Sequence, residues 1–190
     1  MPALPLSDAP SWEVSSRWLC CERRGSPGGM KFLSGYSPDD PKPLGSYAAL
    51  TAVWGGAVTA FVVSQRKAGR PLPQRVPLAD LALLTAGTYK LSRLTTKDRV
   101  MAFARAPFTR YQGDADRPSE VSEEARGDGL QHSIGELLVC PYCISQWVGA
   151  ALLAVYVRDP ELGRSAATLL TIVAGSDFLH QAWAAVDKRA

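Results

Sequence analysis

Nineteen consecutive residues without a charge, Ser46 to Ser64 (SYAALTAVWGGAVTAFVVS), most limit what this chain can become. Lys42 precedes the run, and Arg66, Lys67 and Arg70 follow it. A helix of about 20 apolar residues crosses the hydrocarbon of a bilayer, and basic flanks suit its headgroups. The run therefore reads as a membrane-spanning helix rather than the core helix of a soluble domain. Three further stretches share its character. Residues 76–94 (VPLADLALLTAGTYKLSRL) are apolar in the middle, with Asp80 near one end and Lys90 and Arg93 near the other. Long basic stems reach an interface from such positions, so this segment either spans or lies flat. Residues 142–157 (YCISQWVGAALLAVYV) carry no charge, and residues 165–186 hold only Asp177 and His180 as ionisable groups. A polar turn from Arg158 to Arg164 joins these last two into an antiparallel helical hairpin. The expected fold class is all-α: an integral membrane protein with three or four apolar helices and disordered polar segments.

Whole-chain averages conceal this pattern, since mean hydropathy is only −0.05. Across 190 residues, 21 basic and 18 acidic side chains leave a net charge of +3. That balance excludes a strongly basic nucleic-acid coat, and the 46% hydrophobic content excludes a wholly disordered chain. Four cysteines are too few for a disulfide-stapled secreted scaffold. Residues 1–45 are rich in proline and lack an apolar period, which predicts a disordered tail without a signal peptide's apolar core. Residues 46–187 then form the helical membrane domain. Within it, residues 112–133 carry six acids and two arginines and read as a mobile acidic loop. No Ser/His/Asp nucleophile constellation, phosphate-binding glycine loop or dinucleotide fingerprint is present, so the reading leans away from an enzyme.

Thr95 with Asp98, and Ser133 with Glu136, each fit a capping box at a helix start. The first would open a short helix presenting Val100, Phe103, Ala104 and Pro107 on one stripe. Lys97, Arg99, Arg105 and Arg110 surround that stripe, which suits a helix lying on anionic lipid headgroups. An ordinary solvated helix is the plain alternative. Charge counting tests the orientation. A four-span arrangement places 15 basic residues on one side against 6, and a three-span arrangement 14 against 7. Both put the basic loop, Cys140 and the C-terminus in the cytoplasm of a bacterium, with the helices in its inner membrane.

Cys140-Pro141-Tyr142-Cys143 is the sharpest local motif. Proline suits the first helical position, which makes Cys140 the N-cap and puts Cys143 on the same first turn. The free N–H groups and positive end of the helix favour negative charge at the N-cap sulfur. Three readings stay open: close packing of small side chains, a redox dithiol, or two ligands of a zinc site. No resident cofactor is predicted outside the zinc option. For that option, Asp177 and His180 are the candidates to complete the set. Cys143 lies about 21 Å down one helix of the hairpin and His180 about 22 Å back up the other, at about 1.5 Å per residue. Asp177 instead paired with His180, Lys90 or Arg93 is the plainer outcome.

Taken in order, Arg93-Leu94-Thr95 with Asp98, Arg105-Ala106-Pro107-Phe108, and Cys140-Pro141-Tyr142-Cys143 with Trp147 form a pattern. It resembles the small bacterial membrane proteins grouped as domain of unknown function family 1360, which include sporulation-associated members in Bacillus. The resemblance covers roughly residues 78–182. Ser145 stands where that family often has glycine, and the segment at 46–64 and the long N-terminus look like additions. It implies a membrane location and carries no activity. The expected function is a structural or partner-binding membrane component that meets another membrane protein or a second copy of itself. Thiol–disulfide exchange or metal binding at the cysteine motif is the alternative.

Overall fold

The computed structural model describes Tyr36 and residues 42–188 other than 71, 116 and 118. The tail expected over residues 1–45 lies almost wholly outside the described residues. Six helices follow: α1 (Leu44–Lys67), α2 (Leu78–Thr96), α3 (Ala102–Arg105), α4 (Gly129–Val139), α5 (Pro141–Arg158) and α6 (Pro160–Asp187). A 3₁₀ turn, Arg99–Met101, leads into α3, and strands β1 (Thr109–Asp114) and β2 (Val121–Ala125) stand between α3 and α4.

The charge-free run becomes α1 as expected. Its end is built by backbone alone: Ala68 N–H bonds to Ser64 O and Arg70 N–H to Gln65 O. Gly69 takes a left-handed φ of +66° at the turn, a conformation glycine adopts without steric cost.

Side-chain pairs give the helix directions. Near the start of α2, Asp80 accepts a hydrogen bond from the Tyr156 hydroxyl (2.6 Å) and from Arg164 (2.8 Å), at the end of α5 and the start of α6. One turn on, Leu84 packs with Leu152, Tyr156 and Ala167. Towards its end, Lys90 pairs with Asp177 at 2.8 Å and Tyr89 stacks on Phe178 at 6.0 Å. Helix α5 therefore runs antiparallel to both α2 and α6, which run parallel to each other. Trp54 Nε1 donates to Gln146 O at 3.4 Å, and Phe61 faces Ala154 and Val157 across a shared cavity. Helix α1 thus accompanies α5 in the same direction.

Three sequence expectations are corrected here. The polar turn between the last two helices shrinks to Asp159, whose Oδ1 accepts the N–H groups of Glu161 (3.1 Å) and Leu162 (3.0 Å) to cap α6. Proline at the first helical position lets α6 start at once. Neither capping box starts a helix. Thr95 lies inside α2 with its hydroxyl donating to Leu91 O (2.8 Å), and Ser133 lies inside α4 donating to Gly129 O (3.0 Å). A hydroxyl that bonds back to the preceding turn gives the same letter pattern as a cap.

The third correction is larger. The stretch expected as a mobile acidic loop is an antiparallel β-hairpin followed by the first turn of α4, so the chain is mostly helical rather than all-α. Thr109 pairs with Ala125 and Asp114 with Val121, and a bulge falls between Tyr111 and Gly113. The hairpin is tied to the end of α2 by Val121 N–H to Lys97 O (2.9 Å) and Arg99 N–H to Ser119 O (2.9 Å). Helix α4 closes over it at Gly135, where an added Cβ would stand 2.4 Å from Phe108 O and 2.9 Å from Ala125 Cβ. Gly135→Ala is therefore expected to destabilise by about 1–3 kcal/mol through overpacking against backbone. Gly149→Ala, whose Cβ would meet Thr88 at an ordinary 3.5 Å, is expected to be nearly neutral. Thermal unfolding of the two variants side by side checks the contrast.

By length and apolarity, α1 alone qualifies to cross a membrane among the described residues. Helices α4 and α5 qualify only as a pair, and they are bent by 84° where they meet at Cys140.

Candidate functional site

Two constructions sit at the end of the molecule where α2 stops and α5 begins. The first is a buried charged junction. Arg93, in the last turn of α2, grips Glu120 with two nitrogens, Nη2 at 2.7 Å from Oε2 and Nε at 3.2 Å from Oε1. Bidentate pairing of this kind fixes orientation as well as charge. Arg105 is 1% exposed; its Nε donates to Glu123 at 2.6 Å. Its Nη1 donates to the carbonyls of Thr95 (2.9 Å) and Asp98 (3.1 Å). The guanidinium thus satisfies the Thr95 carbonyl, which has no helical partner in the last turn of α2, and shares the Asp98 carbonyl with the Met101 N–H. Lys90, also buried, lies between Asp177 (2.8 Å) and Asp98 (3.4 Å). Thr96 and Ser133 are buried beside these groups' elements.

This geometry sorts the four basic residues expected on a membrane surface. Arg105 is removed from that set, because it is buried and spent on Glu123 and the carbonyls of Thr95 and Asp98. Arg99 and Arg110 are exposed and make surface pairs with Asp114 (2.6 Å) and Glu124 (3.6 Å). The Tyr111 hydroxyl also donates to Asp114 at 2.8 Å, which pushes its pKa upward. Lys97 is half-buried. Val100 and Phe103 between them stay largely exposed.

The second construction is the cysteine corner. Cys140 is the N-cap of α5 and Pro141 occupies its first position, as the spacing predicts. Cys143 N–H donates to Cys140 Sγ at 3.3 Å. Both thiols are free; Cys140 is half-buried and Cys143 exposed. The corner opens into a groove of about 590 Å³ between α1, α4 and α5, with Tyr47, Trp54, Glu136 and Trp147 on its walls. Glu136 accepts from the Tyr47 hydroxyl and lies 3.5 Å from His132. Nothing in the local sequence around Tyr47, Trp54 or Glu136 marks them as neighbours of the cysteines.

The zinc constellation of Cys140, Cys143, Asp177 and His180 is not assembled. Among the described residues, no three His, Cys, Asp or Glu side chains gather as a metal site would require. Asp177 is engaged by Lys90, and His180 is exposed. The face of α6 bearing Asp177 packs on α2, where Lys90 holds it.

Residues 83–183, over half of the chain, match the family model described as Protein of unknown function (DUF1360). The chain belongs to this family. The matched region contains the charged junction, the hairpin and the cysteine corner, whereas α1 precedes it. A protein of similar sequence, the sporulation protein YjcA of Bacillus subtilis, is 31% identical over 94 residues, covering 48% of this chain and 80% of that protein. No solved structure matches.

Proposed function

We propose that this DUF1360 protein is a bacterial integral membrane protein acting as a structural or partner-binding component rather than an enzyme. Its distribution of polarity carries the reading. Soluble domains bury apolar side chains and expose few large contiguous apolar patches. Here the buried set is rich in polar groups, among them Asp80, Lys90, Ser92, Thr96, Arg105 and Glu120. Helix α6 meanwhile exposes Leu169, Ile172, Phe178, Leu179, Trp183 and Val186. The apolar window of α1 has no buried residue at all. Lipid is the solvent that favours this arrangement, because ionisable groups within apolar helices then turn inward and pair.

In the four-span form of the proposal, α1, α2, α5 and α6 lie in the bilayer with the hairpin junction at the cytoplasmic face. Trp183 and Tyr142, both exposed towards that end, suit an interfacial aromatic belt. Val100 and Phe103, flanked by Lys97, Arg99 and Arg110, would dip among anionic headgroups. Exposed ion pairs such as Arg99–Asp114 are weak enough to be exchanged for lipid phosphate. The relative's name points to sporulation as the process in which a partner would be met.

Extraction tests the reading. The protein should remain with membranes through alkaline carbonate and high-salt washes, since apolar insertion is not screened by salt. Release into the soluble fraction would overturn the proposal.

A further inference from the structure

The cysteine corner holds chemistry that a membrane scaffold does not need. Cys140 has an extended backbone (φ −106°, ψ 105°) as it enters α5. Its carbonyl accepts the N–H groups of Cys143 and Ile144, each at 3.1 Å, and its sulfur accepts the Cys143 N–H. The sulfur therefore lies over the donor-rich start of an 18-residue helix. Cys143 lies on the same first turn of α5. Close packing alone does not account for this pair, because Cys143 is exposed and fills no core. Metal ligation lacks its third and fourth ligands among the described residues. The 84° bend between α4 and α5 keeps the first turn of α5 from being covered by a continuous helix, and the groove in front of it gives a second molecule access.

We propose that Cys140 and Cys143 are a redox-active dithiol that reduces a disulfide of a second molecule, with Cys140 attacking and Cys143 resolving. The Cys140 thiolate bonds to one sulfur of the incoming disulfide. That S–S bond breaks, and the departing sulfur leaves as a thiolate and takes up a proton. Cys143 then gives up its proton and attacks Cys140 Sγ in the mixed disulfide, which breaks the intermolecular bond and forms a Cys140–Cys143 disulfide. The second partner sulfur departs as a thiol. Two electrons pass from the dithiol to the partner, and no further oxidant is needed. A dithiol of the same chemical class as the product returns the pair to its reduced form by the reverse steps.

The experiment uses the full chain in detergent with Cys20→Ser and Cys21→Ser, and glutathione disulfide as the probe. With the 140–143 pair intact, both thiols should become resistant to alkylation together, recover with reductant, and retain no glutathione. Cys143→Ser should accumulate a stable glutathione adduct on Cys140. Cys140→Ser should form an adduct on Cys143 several-fold more slowly. Intact mass and peptide mapping read each outcome, and helical circular dichroism confirms that the variants are folded. A pair that stays alkylatable in glutathione disulfide overturns the proposal without recourse to any change in the motif. Equal trapping rates at the two positions overturn the assignment of Cys140 as the attacking thiol.

Discussion

Arg105→Ala should lower stability by about 3–5 kcal/mol, the usual penalty for removing one partner of a buried ion pair. The loss has two sources. Glu123, whose side chain is 6% exposed, is left as a buried carboxylate that, among the described residues, keeps the Thr109 hydroxyl at 3.3 Å as its donor. The Thr95 carbonyl in the last turn of α2 loses its donor, and the Asp98 carbonyl loses one of its two. Arg105→Lys should recover only part of the loss, because an ammonium does not reproduce the planar fork that reaches Glu123 and both carbonyls. Arg105→Met combined with Glu123→Leu should lose much less than Arg105→Ala, since removing both charges leaves neither unpaired. Denaturant unfolding in detergent, with limited proteolysis of the hairpin as a local readout, measures all three. A double variant as unstable as Arg105→Ala would mean that packing, not charge, holds this junction.

A charge on the exposed face of α1 should be nearly as disruptive, but to insertion rather than folding. Val53 is 61% exposed and lies close to the middle of the helix. Val53→Lys should cost about 2.5–3.5 kcal/mol on insertion scales at a helix centre. Val53→Leu should be neutral. The expected result is a large fall in the membrane-integrated fraction of α1, read by glycosylation mapping of an α1 insertion cassette, with no change in the charged junction. Equal integration of the two variants would remove α1 from the bilayer and with it the strongest support for the membrane proposal.

The two predictions divide the molecule along the line between what was legible and what was not. Helix α1 was readable because nineteen uncharged residues leave few other fates. The start of α5 was readable because proline at the first helical position and a capping side chain before it act within four residues. The hairpin was not. Its strands, TRYQGD and VSEEA, carry no clean apolar alternation, and a two-stranded ribbon is marginal by itself. Its acids look solvated in the sequence because the arginines that neutralise them lie elsewhere: Glu120 meets Arg93 across 27 positions, and Glu123 meets Arg105 across 18. The misplaced surface role of Arg105 and the supposed acidic loop are therefore one misreading seen from two sides.

The zinc set failed for a different reason. Rise per residue predicts how deep Asp177 lies in the helical hairpin, and that depth placed it level with the cysteines. It says nothing of which way α6 is rotated. The rotation is decided by packing on α2, where Gly87 lies against Ala167 and Lys90 draws Asp177 to 2.8 Å.

Sequence alone thus determined what depends on neighbours along the chain: the apolar runs, the proline start of α5 and its cysteine cap. Family membership was legible as well, since three short motifs in order specify it. Tertiary structure decided which charges are buried, which acids form strands and which face of α6 meets α2. These depend on pairs 18 to 87 positions apart, whose free energy comes from burying both partners together. No local pattern encodes that quantity, because either partner alone looks like a solvated charge.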